Sequence, residues 1–357
     1  MKIALLSYST KPRGGVVHTL ALAEALAALG EDVTVWTLGR GGDTGFHRPV
    51  DPAVRLRIVP FPDGPERETV GERVLRSIET LRAAFDPAPY DVVHAQDCIS
   101  ANAVGRCVRT VHHLDRFTTP ELAACHERAI VEPYAHVCVS RSVADELRAG
   151  WGLEARVIPN GVAYDRFAGA DPAGAAEWRA RLGRYVLTVG GIEPRKGSLD
   201  LLEAFAPLRA ARPGVRLVVA GGETLFDYRD YRARWEARAV ELGVEPVVLG
   251  AVADDVLPAL VAGASVFAFP SLKEGFGLAA MEALAAGVPL VVRDLPVLRE
   301  VFGPAARFAS TPEGLAEELA AAIGADDPVR RAAGRSLAAG HTWESAARAH
   351  LEFYRSL

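Results

Sequence analysis

Residues 269–282 of the chain read Phe-Pro-Ser-Leu-Lys-Glu-Gly-Phe-Gly-Leu-Ala-Ala-Met-Glu. The apolar run that ends at Phe269 is typical of a buried strand. A Gly-Phe-Gly turn follows it, and the small apolar residues beyond predict a tightly packed helix over 279–286. The segment therefore predicts a strand, a loop with exposed backbone amides and a helix, which is the repeating unit of a parallel α/β sheet.

The same alternation of short apolar runs and longer helical patterns extends along most of the chain. Strands are predicted at 3–8, 33–38, 56–59, 92–95, 108–112, 137–140 and 156–159, then at 185–189, 217–220, 247–249, 266–269 and 290–292. Helices are predicted at 16–29, 66–85, 120–132, 143–149, 199–212, 228–242 and 256–262, with two or three more in 313–357.

The alternation pauses over Tyr164–Gly183, which is rich in Ala, Gly, Asp and Pro and predicts an inter-domain connection. The fold class is therefore α/β, with two Rossmann-like domains at 1–168 and 184–340. Parallel sheets bind ligands at the carboxyl ends of their strands. We expect the two sheets to face each other across a central cleft, the usual place for a substrate site.

The composition excludes several classes of protein. The 357 residues carry a net charge of −5, which argues against a nucleic-acid partner for the whole chain. No apolar run is long enough to predict an integral membrane segment, whereas peripheral contact with a membrane stays open. The four cysteines include no C-x-x-C pair, so a reduced, cytoplasmic protein is predicted. The oligomeric state is not readable.

Two loops of the second half predict an anion site and a hydroxyl site. The first joins the glycine pair Gly190 and Gly191 to the cations Arg195 and Lys196, and Ser198 could cap the next helix. Adjacent cations beside a helix start suit a diphosphate, although a solvated basic turn is the alternative. A Walker A loop is absent.

The second loop carries Glu274, and Glu282 follows eight positions later inside the predicted helix. A carboxylate can accept hydrogen bonds from two vicinal hydroxyls of a sugar. For Glu282 the alternative is a charge on the helix surface. Two further loops carry weaker signals: Gly222 follows a strand and could approach a nucleotide, and backbone groups near Val252 could meet a nucleobase.

In the first half, Gly14 and Gly15 separate the first strand from a helix start and could let an anion or sugar approach the backbone. A tight turn explains the pair equally well. Lys11 and Arg13, just before it, indicate an anionic acceptor or simply solvated surface charge.

Three histidines end strands of the first half: His94, His112 and His113. Such residues point towards the presumed cleft, but a buried structural histidine is the competing interpretation for His94. Neighbouring residues on a strand face opposite sides, so His112 and His113 cannot easily chelate a metal together.

Together these features resemble the retaining glycosyltransferases of family 4, the glycosyl transferases group 1, which have the GT-B fold. Glu274 to Glu282 matches the family's E-x7-E signature, and residues 193–197 resemble the phosphate loop of phosphatidylinositol mannosyltransferase-like members. The resemblance covers nearly the whole chain. It implies that a final helix, 341–357, crosses back to the N-terminal domain.

The resemblance also implies roles for the residues above. Glu282 would hold the nucleotide ribose, and Glu274 would touch the donor sugar or its phosphate side. Lys196 and Arg195 would neutralise the leaving diphosphate, and His112 would contact the donor sugar. The remaining donor contacts would be Gly14, Gly15, Gly190, Gly191, Gly222, Val252, Gly275, Phe276, Gly277 and Leu278. Lys11, Arg13, His94 and His113 would lie on the acceptor side.

One position departs from the pattern. Many members have arginine where this chain has Gly191, and that arginine binds the diphosphate, so we hypothesise that Arg195 replaces it. The implied reaction moves a hexosyl unit from a UDP-, GDP- or ADP-sugar to an unknown acceptor, with no metal and no cofactor. A non-catalytic sugar-nucleotide-binding protein, a GT-B epimerase and a phosphorylase remain alternatives.

Overall fold

A computed structural model describes residues 1–65, 67–115, 117, 119–222 and 228–357. The chain divides into two compact units. The first contains Met1–Gly161 together with Trp343–Leu357, and the second contains Val162–Thr342. The first stretch therefore ends at Gly161 rather than at residue 168, and the last helix belongs to the same unit as the N-terminal half.

The first unit is a parallel sheet whose described strands run in the order β3-β2-β1-β4-β5-β6-β7. These strands are β1 (Lys2–Leu6), β2 (Asp32–Arg40), β3 (Arg55–Phe61), β4 (Val92–Ala95), β5 (Val108–Val111), β6 (Ala135–Cys138) and β7 (Arg156–Val157). Its helices are α1 (Gly14–Ala28), α2 (Val70–Ala84), α3 (Cys98–Val104), α4 (Pro120–Val131), α5 (Arg141–Trp151) and, from the end of the chain, α15 (Trp343–Arg355).

The second unit is a parallel sheet of described strands in the order β10-β9-β8-β11-β12-β13. The strands are β8 (Arg184–Val189), β9 (Val215–Ala220), β10 (Val247–Gly250), β11 (Val266–Phe269), β12 (Leu290–Arg293) and β13 (Ala306–Ala309). The helices are α6 (Tyr164–Ala168), α7 (Pro172–Leu182), α8 (Ser198–Ala211), α9 (Arg229–Glu241), α10 (Leu257–Gly263), α11 (Leu278–Ala285), α12 (Pro296–Phe302), α13 (Pro312–Gly324) and α14 (Pro328–Gly340).

The α/β prediction is confirmed, and most strands fall within a few residues of their predicted places. Apolar side chains of the helices pack against each sheet, because the strands of a parallel sheet are normally buried. In the first unit, for example, Leu20 of α1 and Leu351 of α15 pack in one core with Leu5 of β1. In the second unit, Phe205 of α8 and Leu319 of α13 pack in one core with Val186 of β8.

Several local predictions were wrong. The proposed connection over 164–183 forms the helices α6 and α7. Helix α7 begins where it does because the Asp171 carboxylate caps the amides of Ala173 and Gly174 and Pro172 occupies the first turn. The second predicted helix begins at Val70, where Thr69 and Glu72 form a capping box. Its predicted first residue, Glu66, lies outside the described residues. The short elements α3, α12 and β13 escaped prediction.

Each strand order reverses direction once, and these reversals position the site. In the first unit the reversal lies between β1 and β4, and in the second it lies between β8 and β11. Loops that leave neighbouring strands in opposite directions open a crevice at the carboxyl edge of a parallel sheet. Three of the loops that the sequence singled out, at 11–16, 190–197 and 270–277, follow β1, β8 and β11.

Candidate active site

In the second unit, the loops after β8 and β11 are bonded to each other. The Leu272 amide donates to the Arg195 carbonyl over 2.7 Å, and Arg195 Nη1 donates to the Lys273 carbonyl over 3.2 Å. Gly197 has a left-handed φ of 63° and passes close to the Pro270 carbonyl. The two halves of the predicted site therefore form one structural piece.

Gly197 can be tested by a single methyl group. A Cβ at this position would lie 2.2 Å from the Pro270 oxygen and would also require a strained φ. We expect Gly197→Ala to lower the free energy of unfolding by about 3 kcal/mol, measured by denaturant unfolding. Gly214→Ala is the matched control, because a Cβ there meets nothing within 4 Å. Equal stabilities of the two variants would contradict this account of the loops.

Two cations and two carboxylates meet on this piece. Lys196 Nζ lies 2.5 Å from Glu274 Oε1, and Arg195 Nη1 lies 3.1 Å from the same oxygen. Arg195 Nη2 also pairs with Glu193 Oε1 at 3.1 Å. The carboxylates fix both cations at the carboxyl edge of the sheet, where an arriving diphosphate could share them. Glu193 had no predicted role, although it is the first residue of the 193–197 loop.

The helix that follows each loop begins without a side-chain cap. Gly197 precedes α8 and Gly277 precedes α11, both in the left-handed conformation, and neither glycine can supply a capping side chain, although the Leu199 amide of α8 donates to the Tyr231 hydroxyl over 3.3 Å. The prediction that Ser198 caps α8 was wrong, because Ser198 is the first helical residue and its hydroxyl donates to the Glu193 carbonyl. Uncapped amides leave a helix start free to bind an anion.

Glu282 lies on α11 and is partly buried. Within the described part of the chain its carboxylate makes no hydrogen bond or ion pair. Burial raises the pKa of Glu282 to about 7, Arg166 opposes this shift, and the charge of Asp254 adds to it. Arg166 in turn pairs with Asp254 at 3.1 Å. Glu282 is thus an unengaged acceptor, and sequence analysis missed the neighbouring pair because Arg166 lay in the supposed connection.

Gly190 has a φ of 145°, which favours glycine, whereas the space beside Gly190 and Gly222 would admit a Cβ at ordinary contact distance. A Cβ on Gly190 would lie 3.5 Å from the Lys196 stem, and one on Gly222 would lie 3.4 Å from Ala251, the residue before Val252. Gly191 lines a small cavity beside Lys196. The Phe276 ring is buried, so Phe276 can offer a ligand only its backbone. Gly275 likewise has only backbone groups to offer, whereas the partly exposed Leu278 could add an apolar contact.

Ser271 is a polar residue of this site to which sequence analysis gave no role. Its side chain is buried and lines the cavity beside Gly190, Gly191 and Lys196. Its hydroxyl has no hydrogen-bond partner. A buried hydroxyl in this state is available to a ligand or to a water molecule.

In the first unit, His112 and Gly15 lie side by side. A Cβ on Gly15 would lie 3.8 Å from the His112 ring, whose Nε2 is buried without a partner. Burial, with a smaller effect of the Arg109 charge, lowers the pKa of His112 well below its ordinary value. His112 is therefore a neutral ring beside the uncapped start of α1, which begins at Gly14.

The other histidines have different surroundings. His94 is fully buried, and its ring nitrogens bond Tyr354 at 2.6 Å and Thr110 at 2.7 Å. Both ring nitrogens are therefore satisfied within the first unit, Nδ1 by α15 and Nε2 by β5, as the competing interpretation of a buried structural histidine expects. His113 is partly exposed, and its Nε2 lies 3.1 Å from Asp115.

The basic residues before α1 also differ from each other. The Lys11 ammonium is largely exposed and pairs with Asp43 at 2.9 Å. The Arg13 guanidinium lies over the Tyr8 ring, 5.8 Å from its centre, and its Nε is buried without a partner. Arg13 therefore packs against the first unit, whereas the Lys11 ammonium extends into solvent.

Among the described residues, no three His, Cys, Asp or Glu side chains are grouped so that they could hold a metal ion. Nor does any described helix combine the length and apolar character needed to cross a membrane.

Two family models match successive parts of the chain. Residues 12–166 match the model of Glycosyltransferase Family 4, and residues 179–325 match that of Glycosyl transferases group 1. An MMP alpha-(1->4)-mannosyltransferase of Mycolicibacterium hassiacum is 30% identical, over 91% of this chain and 89% of its own. The chain belongs to glycosyltransferase family 4. As a member of that family it is a hexosyltransferase.

Other members and solved structures extend the comparison. A D-inositol 3-phosphate glycosyltransferase of Nocardia farcinica is 30% identical, over 99% of this chain and 89% of the relative. Anabaena HepE in complex with UDP and glucose has a TM-score of 0.76 at 20% identity, with both chains fully covered. Sucrose-phosphate synthase from Thermosynechococcus elongatus has a TM-score of 0.79 at 21% identity, covering 99% of this chain and 98% of that one. The fold is GT-B.

Proposed function

We propose that this family 4 enzyme transfers a hexosyl unit from a nucleotide-diphosphate sugar to an acceptor, with retention of configuration and without a metal ion. The observation that carries the proposal is the cation pair Arg195 and Lys196, held by Glu274 beside the uncapped helix starts of α8 and α11. HepE, a structural neighbour, has been solved with UDP-glucose, which supports a donor of this class.

Each donor group has a proposed partner. The diphosphate takes Arg195, Lys196 and the amides that follow Gly277, and the ribose hydroxyls take the free carboxylate of Glu282. Backbone groups near Gly222 and Val252 would meet the base. Glu274, already bonded to Lys196, would lie at the sugar and phosphate side. Gly15 and His112 are the proposed contribution of the first unit.

The reaction needs charge stabilisation more than acid catalysis. As the bond between the anomeric carbon and the phosphate oxygen breaks, negative charge grows on the diphosphate. Fixed cations and amides stabilise such charge strongly where water is depleted. Because Arg195 and Lys196 supply positive charge at this place, the proposed step does not call on a divalent ion.

In the proposed mechanism the acceptor attacks the face of the sugar from which the diphosphate leaves, and this geometry retains the configuration. The acceptor oxygen forms the new bond to the anomeric carbon, and its proton passes to the departing phosphate oxygen. The leaving group thus acts as the base, and no protein nucleophile is required. His112, neutral and with one free ring nitrogen, would orient the sugar.

A thermal-shift screen with UDP-, GDP- and ADP-sugars tests donor binding, because a bound ligand stabilises the fold by mass action. Product analysis by NMR in the presence of EDTA then tests transfer, retention and metal independence. Turnover with an α-linked product from an α-linked donor supports the proposal. Binding without turnover against a broad acceptor panel would favour a sugar-nucleotide-binding protein. Conversion without an acceptor would favour an epimerase, and bound pyridoxal phosphate a phosphorylase.

Many family members have an arginine where this chain has Gly191, and Arg195 is proposed to take over the role of that arginine. Arg195→Ala removes one of two cations from the diphosphate site, so we expect its donor dissociation constant to rise about tenfold. Calorimetric titration with the donor identified by the screen measures this constant. Arg216→Ala, at an exposed position on β9, is the matched control. Unchanged donor binding by Arg195→Ala, together with lost binding by Lys196→Ala, would show the assignment to be wrong.

A further inference from the structure

A buried arginine of the first unit has no acidic partner among the described residues. The Arg109 side chain lies on β5 and only 6% of the residue is exposed. Its Nη1 donates to the Thr110 carbonyl over 2.5 Å, its Nη2 contacts Cys98 Sγ at 3.7 Å, and its Nε has no partner. Burial of a guanidinium is costly unless the charge is paired, so a bound anion would stabilise Arg109.

The residues around Arg109 do not neutralise it. Burial raises the pKa of the Cys98 thiol, so no thiolate faces the guanidinium near neutral pH. The charge of Asp97 acts on Arg109, but the two carboxylate oxygens of Asp97 accept from the amides of Ser100 and Tyr8. No Asp97 oxygen comes within ion-pair distance of Arg109.

The contacts of Cys98 bear on which ring nitrogen of His126 carries the proton. Cys98 Sγ accepts from Arg109 and lies 3.5 Å from His126 Nδ1. Burial lowers the pKa of His126, so its ring is neutral and Nδ1 can accept the thiol proton. The ring proton is then on Nε2, which is buried without a partner.

Both unsatisfied atoms, Arg109 Nε and His126 Nε2, are therefore donors. Two donors, one of them charged and both on side chains that contact Cys98 Sγ, favour an acceptor-rich and negatively charged ligand. The donor's diphosphate already has cations in the second unit, which leaves the other substrate to supply this anion.

We propose that Arg109 and His126 form a subsite for an oxyanion, a carboxylate or a phosphate, carried by the acceptor. The inference rests on the proposed transfer reaction for the word acceptor, whereas the anion site itself can be tested alone. Cys98 provides the reporter, because it is partly exposed and the three other cysteines are buried.

The experiment measures alkylation of Cys98 by N-ethylmaleimide, followed by mass spectrometry, in the full chain. Inorganic phosphate and acetate are the probes, and chloride at equal ionic strength is the reference. We expect at least one probe to slow alkylation several-fold in the natural chain, and the effective probe identifies the anion. Arg109→Gln should abolish this protection. Arg106→Gln, an exposed arginine of the same unit, and Lys196→Met should keep it.

A stability measurement separates binding from a structural role. If Arg109 serves a ligand, Arg109→Gln should melt at or above the temperature of the natural chain in chloride, and it should lose the stabilisation by the effective anion. A large fall in melting temperature without any anion would overturn the proposal. Protection that persists in Arg109→Gln, or protection by neither probe, would also overturn it.

The donor screen keeps the two proposals apart. If nucleotide sugars bind but no anion protects Cys98, this inference fails and the proposed function stands. If an anion protects Cys98 but no nucleotide sugar binds, the anion site stands and the proposed transfer reaction fails.

Discussion

Replacement of Lys196 by Met is expected to reduce kcat about 100- to 1000-fold, with a change in KM of less than about threefold. A fixed donor aimed at developing charge typically contributes this much to an enzymatic rate. The ammonium of Lys196 lies 2.5 Å from Glu274 in the ligand-free site, where the carboxylate holds it in place. Its full effect should appear only when negative charge builds up on the leaving diphosphate.

Methionine is chosen because it keeps the packing of the lysine stem. That stem covers Gly190, and the ammonium lies 5.1 Å from the centre of the Phe269 ring. Melting temperature should therefore change little, so the lost rate can be assigned to the charge. Lys2→Met, at an exposed position of the first unit, is the control. A Lys196→Met enzyme with the natural kcat would remove Lys196 from the mechanism.

Replacement of Glu282 by Ala is expected to weaken donor binding about 10- to 100-fold with a smaller effect on kcat. Hydrogen bonds to a charged group contribute about 1.5–3 kcal/mol, and the ribose contacts are the same in the ground and transition states. Calorimetric titration with the nucleotide alone measures the loss. Glu245→Ala, exposed and in the same unit, is the control. Natural affinity in Glu282→Ala would place the ribose elsewhere.

The pH dependence gives Glu282 a second test. Burial raises its pKa to about 7, so the ionised fraction in the free enzyme increases as pH rises from 6 to 8. The ionised form accepts two hydroxyl hydrogens, and binding should therefore tighten by up to about tenfold across this interval. Glu282→Gln cannot titrate and should show a flat profile. A natural enzyme whose nucleotide affinity falls over this interval would contradict the assigned sign.

The fold could be predicted because its strands and turns have strong local sequence patterns. All four residues of Val266–Phe269 are apolar, which favours a buried strand. The Gly-Phe-Gly sequence that follows favours a turn. Where such signals were weak, prediction was wrong. Residues 164–183 are rich in Ala, Gly and Pro, yet the single carboxylate of Asp171 begins a helix there. Capping depends on one side chain and one backbone angle, which composition does not reveal.

By itself, the sequence determined the α/β class, the family signature from Glu274 to Glu282 and the adjacent cations Arg195 and Lys196 after β8. These depend on residue type and on spacing along the chain. Only the tertiary structure decided that Arg195 and Lys196 share Glu274, that His94 is a packing residue, and that Arg109 is buried without an acidic partner. Such facts depend on which distant segments meet and how completely water is excluded there, because burial and pairing together set the cost of a charge.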